Sequence, residues 1–104
     1  MAGTGGDSII EPLNRHAQFR SLASEQRRAL LLFLLEEYPS SVSLGTAVAH
    51  VAATTNRSHE PTELELRHKH LPVLEDAGLV THDSADDQLA YCGGAFVRKV
   101  LELL

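Results

Sequence analysis

The chain has 104 residues, which is enough for one small domain built around a single core. Hydrophobic residues make up 43% of it and charged residues 22%, which excludes a disordered, collagen-like or fibrous protein. The formal net charge of −5 disfavours general attraction to polyanions, so any surface for nucleic acid must be local.

The sequence gives no sign of a membrane span or of secretion. Its longest apolar run, Ala29 to Leu35, has seven residues, whereas a membrane-spanning helix needs about 20. The N-terminus lacks the basic and apolar regions of a secretory signal, so we expect a cytoplasmic protein. The single cysteine, Cys92, can form neither an internal disulfide nor a Cys-only metal site.

The domain is expected to span residues 8–104, after a flexible Gly-rich leader at residues 1–7. Ser8 to Phe19 could form a short helix, with Pro12 in its first turn.

Two stronger helical patterns follow. The first runs from Ser24 to Glu37, where Ser24 is a suitable N-cap and leucines recur at helical spacing. The second begins at its N-cap, Ser43, and continues to about Ala53. The polar segment at residues 54–61 is then predicted to be a loop.

A third helix is predicted at residues 62–77. Thr62 and Glu65 have the spacing of a capping box at its start, and Gly78 is the expected left-handed residue just past its end. Pro72 cannot donate a hydrogen bond to the carbonyl four residues earlier, so we expect a kink there or a helix in two pieces.

Two short strands, at residues 79–82 and 88–91, are predicted around an acidic turn, and a last apolar helix is predicted at residues 95–104. The fold class is therefore mainly α with a small β-hairpin (α+β). The order of helix, helix, helix, hairpin and helix is typical of a winged helix-turn-helix domain, which presents its third helix to the DNA major groove.

Two motifs carry a resemblance to known families. The run from His70 to Val80 resembles the signature H-L-x-x-L-x-x-A-G-L-V of ArsR-type winged-helix regulators. The longer pattern from Ser24 to Tyr91 looks still more like a largely uncharacterised haloarchaeal winged-helix family, and it rests on these segments: Gln26-Arg27-Arg28-Ala29-Leu30, Val42-Ser43-Leu44, Leu66-Arg67-His68-Lys69-His70-Leu71-Pro72 and Val80-Thr81-His82-Asp83. The resemblance implies a winged-helix fold and DNA binding.

The candidate DNA-binding residues lie on or just before the third helix. They are Arg57, Thr62, Glu63, Arg67, Lys69 and His70. Arg67 could pair with guanine, while Arg57 and Lys69 could contact phosphates. The alternative is a solvated helix face on which Glu63 and Arg67 form an i, i+4 ion pair. Asp86 and Asp87 are interpreted as residues of the hairpin turn.

Other chemistries have little support in the sequence. His68 and His70 point about 200° apart on a regular helix and could not share one metal ion, so we expect His68 to pack in the core. Cys92 is expected to be a small buried hydrophobic residue. Because no nucleophile elbow, phosphate loop or zincin motif occurs, we expect no enzyme, no metal, no cofactor and no small-molecule substrate.

The functional prediction is a sequence-specific regulator of transcription that binds double-stranded DNA as a homodimer. The terminal helix is more apolar than one buried stripe requires, and the residues expected to pair across the dimer are Phe96, Val97, Val100, Leu101 and Leu104. In the alternative, this helix folds back onto the leucine-rich helix of its own chain. The alternative function is a winged-helix module that binds another protein without direct DNA contact.

Overall fold

The computed structural model describes residues 15–104, so the predicted leader at residues 1–7 and the first part of the helix predicted from Ser8 lie outside the described residues. Helix α1 is seen as residues 15–21. Within residues 15–104, no helix is both long and apolar enough to cross a membrane.

The two strongest helical predictions are confirmed, each with its N-cap. Helix α2 spans Glu25–Glu37, and the Ser24 hydroxyl accepts a hydrogen bond from the backbone N–H of Arg27 at 3.2 Å. Helix α3 spans Leu44–Thr54, and the Ser43 hydroxyl accepts from the N–H of Thr46 at 3.1 Å. Both caps satisfy N–H groups that the first helical turn leaves without a partner.

The third helical segment begins earlier than predicted and is interrupted. Helix α4 spans His59–Glu65, a π-helical turn follows at Leu66–His70, and helix α5 spans Leu71–Asp76. The break before Pro72 was predicted from the missing proline donor. The structure accommodates it with a wider turn, in which the N–H of Leu71 donates to the carbonyl of Leu66, five residues earlier.

The prediction that Thr62 caps this segment is wrong. Thr62 lies inside α4, is fully buried, and its hydroxyl donates to the carbonyl of Ser58 at 2.8 Å. The helix can begin at His59 because Pro61 falls in the first turn, where a backbone N–H has no helical partner to lose.

The hairpin is joined by a third strand that was not predicted. Strands β2, Val80–Asp83, and β3, Gln88–Tyr91, form an antiparallel pair, and the two-residue strand β1, Val42–Ser43, pairs antiparallel with β3. The order in the sheet is β1-β3-β2. Gly78 has the expected positive φ, at 74°, where the chain leaves α5 for β2.

Helix α6, Gly94–Leu103, packs onto α2 of the same chain. Two of the residues predicted to pair across a dimer, Val97 and Leu101, are 0% and 5% exposed and belong to the core of this chain. The prediction that these two side chains pair across a dimer is therefore wrong. Helix α6 folds back onto its own chain, as in the alternative. The mainly helical chain with a small antiparallel sheet confirms the α+β class.

Candidate nucleic-acid interface

The exposed side of α4 and the π-helical turn carries the cationic residues that were proposed to meet DNA. Arg67 and Lys69 are exposed on the π-helical turn, and Arg57 is exposed just before α4. We call this surface the helix face: Arg57, Glu60, Glu63, Leu64, Glu65, Arg67, His68 and Lys69. Its three cationic side chains stand beside three glutamates, so it is nearly neutral rather than basic.

Arg67 is held at the point where the helix face meets the hairpin. Its Nε donates to Glu63 Oε2 at 3.1 Å, and its Nη2 donates to Asp87 Oδ2 at 2.8 Å. The other Asp87 oxygen lies 2.9 Å from Nε2 of His82. The hydrogen bond from Arg67, followed by that from His82, lowers the pKa of the Asp87 carboxyl. The carboxylate is therefore ionised and ties β2 and the hairpin turn to the π-helical turn.

This arrangement confirms the i, i+4 ion pair between Glu63 and Arg67. Asp87 is confirmed as a residue of the hairpin turn, where its positive φ of 55° helps reverse the chain. The groups are about 40% exposed, so each ion pair adds little to folding stability.

The other cations of the helix face are less constrained. The Arg57 guanidinium lies 4.0 Å from the carboxylate of Glu65, and both side chains are about half exposed. Leu64 is 60% exposed on the same face and places an apolar side chain among the charged ones.

Two of the predicted contact residues are not available to a ligand on this face. Thr62 is 0% exposed and His70 is 2% exposed. His68, which was predicted to pack in the core, is exposed instead. His70 rather than His68 is buried because it stands four residues after the buried Leu66, on the same side of the helical segment, whereas His68 stands only two residues after Leu66 and points away.

His70 bridges two consecutive residues of α2. Its Nδ1 lies 3.1 Å from Nη1 of Arg27, and its Nε2 lies 2.6 Å from Oε1 of Gln26. An arginine can only donate, so Nδ1 must be the unprotonated acceptor and Nε2–H the donor to Gln26. Burial, together with the positive charge of Arg27, lowers the pKa of His70 to about 4. His70 is therefore neutral at neutral pH and serves packing rather than DNA contact.

The role of Gln26 and Arg27 was missed in the sequence. Gln26 is 4% exposed, although glutamine is usually a surface residue. Its Nε2 is buried and has no hydrogen-bond partner within residues 15–104. Gln26 and His70 are 44 positions apart in the sequence, so no local pattern could pair them.

Cys92 also differs from its prediction, since it is exposed, with its Sγ 3.4 Å from the carbonyl of Gly78. In the part of the chain that the structure describes, no three His, Cys, Asp or Glu side chains are grouped so as to hold a metal ion.

Comparison with known families gives one match. The family model described as "Domain of unknown function (DUF7344)" matches residues 19–90, from α1 to the end of the hairpin. The match covers more than half of the chain, so the protein belongs to this family. No curated protein and no solved structure matches the chain.

Proposed function

We propose that this member of the DUF7344 family is a winged helix-turn-helix protein that binds double-stranded DNA sequence-specifically as a regulator of transcription. The observation that carries the proposal is the sheet. Strand β1 between the first two helices of the motif, paired with β3 of a hairpin after the third, is the arrangement expected of a winged helix. In such a domain the segment from α4 to α5 is the helix presented to the major groove.

The N–H groups of Arg67 that Glu63 and Asp87 do not use support a role in base contact. Glu63 and Asp87 occupy Nε and one hydrogen of Nη2. Both hydrogens of Nη1 and one of Nη2 remain, which are enough donors for a pair of hydrogen bonds to O6 and N7 of guanine. The two carboxylates would then orient the guanidinium, while Arg57 and Lys69 contact phosphates.

Selection from a pool of random duplexes, followed by titration of the enriched sequence, tests the proposal. Arg67→Ala should weaken specific binding by about 1–3 kcal/mol, the value of one bidentate base contact. Lys69→Ala should weaken binding to every duplex alike. Lys99→Ala on α6 removes an equal charge outside the helix face and serves as the control. A pool that shows no enrichment, or three variants with equal affinities, would overturn the proposal.

Asp87→Asn provides a second test. The substitution keeps the shape of the side chain but removes the charge of the acceptor that holds Nη2 of Arg67, so affinity for the enriched duplex should fall if Asp87 orients the guanidinium. Glu37→Gln at the exposed end of α2 removes the same charge elsewhere. Equal changes in the two variants would mean that Asp87 does not position Arg67 for DNA.

The second candidate function is a winged-helix module that binds a protein. The exposed Leu64 and the near-neutral helix face favour it, since protein interfaces place apolar side chains at their centre. The salt dependence of duplex binding separates the candidates. Because Arg57 and Lys69 are the two proposed phosphate contacts, log K should fall with log salt with a slope of about 2 per chain. A helix face that serves a protein partner would give no saturable duplex binding.

A further inference from the structure

A cleft lies on the side of the protein formed by α1, the start of α2, and α5. Its volume is about 320 Å³, near the lower limit for small-molecule sites. Two arginines line it, Arg20 from α1 and Arg27 from α2, and Asp76 at the end of α5 is the one carboxylate in its lining. Val73 and two alanines supply the apolar part of the wall.

Arg27 is an unusual residue in this cleft because it is partly buried and has no counter-charge among residues 15–104. Its Nε donates to the carbonyl of Ser21 at 2.7 Å and its Nη1 donates to Nδ1 of His70 at 3.1 Å, and both acceptors are neutral. Within residues 15–104, no carboxylate oxygen lies within 4 Å of the guanidinium. Burial lowers the pKa of Arg27, which reflects the cost of desolvating this charge.

The remaining donors of Arg27 are suited to an anion. Two contacts use one hydrogen on Nε and one on Nη1, which leaves three of the five N–H groups of the guanidinium. Arg20, seven residues earlier in the chain, also lines the cleft and is a second cationic residue beside it. Two arginines against one aspartate give the cleft a formal charge of +1.

We propose that this cleft binds a small molecule that bears an oxyanion, a carboxylate or a phosphate, between Arg20 and Arg27. The planar guanidinium matches the paired oxygens of either group, and a charge-assisted hydrogen bond to a partly buried arginine is stronger than one made in open solvent. Val73 and the alanines would contact a short apolar body. The site lies apart from the helix face and stands whether or not the protein binds DNA.

Binding is tested with two probes, inorganic phosphate and succinate, each titrated at constant ionic strength balanced with sodium chloride. Backbone amide shifts in ¹⁵N-resolved spectra should move saturably at Ser21, Asp76 and Ala77, which line the cleft. The tighter probe identifies the oxyanion, because phosphate and carboxylate present different geometry to the same two arginines.

Three variants locate the anion. Arg20 is exposed, so Arg20→Ala should fold and should raise the dissociation constant at least about tenfold. Arg98→Ala on α6 removes an equal charge outside the cleft and should leave the dissociation constant unchanged. Asp76→Asn removes a negative charge that repels the anion, so it should lower the dissociation constant. The proposal is overturned if neither probe saturates, or if the Arg20 and Arg98 variants bind with equal affinity.

Discussion

His70 shows how a single side chain can make folding depend on pH. The histidine is neutral in the folded protein because burial and Arg27 lower its pKa from 6.5 to about 4. The unfolded chain would take up a proton below pH 6.5, whereas the folded protein would not until about pH 4. Over that interval the unfolded state binds more protons, so the free energy of unfolding falls as the pH falls.

We therefore expect the protein to lose stability between about pH 6.5 and pH 4, by up to about 3 kcal/mol. The contribution of neutral His70 to the free energy of unfolding is fully present above the unfolded-state pKa of 6.5. Urea denaturation across this range measures it, with His70→Gln as the comparison. The variant should be less stable at neutral pH, because its amide is too short to span both partners, but its stability should vary less over the interval. Parallel curves for the two proteins would contradict the assignment.

The residues of the candidate site differ in how far the sequence could predict them. The pair of Glu63 and Arg67 follows from spacing along one helix. Asp87 is 20 residues from Arg67, and only the packing of the hairpin against the π-helical turn brings them together. Helical spacing places His70, four residues after Leu66, on the buried side, but no local pattern predicts that it contacts Gln26 and Arg27 of α2.

At the scale of elements, helix α6 divides its apolar residues between the core and the solvent. Val97 and Leu101 are buried against the rest of the chain, whereas Leu103 and Leu104 are 86% and 76% exposed. Removing the helix should therefore expose the core beneath it. A truncation after Ala95 is expected to unfold the domain rather than release a folded monomer.

Single substitutions in α6 test this division. Leu101→Ala removes a buried side chain and should cost about 2–5 kcal/mol of folding free energy, including the cavity left behind. Leu103→Ala makes the same chemical change in solvent and should stay within about 0.5 kcal/mol of the original. Thermal and urea unfolding measure both. Similar losses in the two variants would mean that a contact not seen in this chain covers Leu103.

The elements themselves were largely predictable. Two N-caps, the left-handed Gly78 and the two strands around an acidic turn are local signals, and the structure confirms each of them. Strand β1 was missed because two residues show no period, and its existence depends on pairing with a strand 46 residues away. The early start of α4 was missed because Pro61 looks like a helix breaker, although a first turn tolerates it.

At the scale of the whole molecule, the homodimer stays a prediction. Of its five predicted residues, Phe96 and Val100 are half-buried and Leu104 is exposed, and the other two lie in the core. A groove of about 420 Å³ runs between α2 and α6, bordered by Leu32, Leu35, Tyr38 and Leu101. Leu32 and Tyr38 are 46% and 50% exposed there, so apolar surface remains after α6 has packed. A two-fold axis through this region would let the two recognition helices of a dimer meet the two halves of a palindromic site.

Sedimentation at micromolar concentration tests this assembly. We expect a dimer for the intact chain and a monomer for Leu32→Glu, which places a charge in the apolar groove. Glu36→Gln, one helical turn further along the same groove, should leave the assembly intact. A chain that is already monomeric would exclude the dimer and the expectation of a palindromic site.

The π-helical turn has a consequence for how the chain tolerates changes in length. The hydrogen bond from Leu71 to the carbonyl of Leu66 spans five residues. If one residue between them were deleted, the two would stand four apart, which is the spacing of an α-helix. Deleting the exposed His68 should therefore keep the flanking residues in register, although Pro72 still leaves one helical hydrogen bond unmade, and the domain should unfold cooperatively. The same deletion at exposed Ala49, in the regular helix α3, would rotate the rest of that helix by about 100° and pull buried side chains out of the core. This segment is thus the one place among the described helices where the loss of a residue should preserve the register of the core, and equal disruption by the two deletions would refute it.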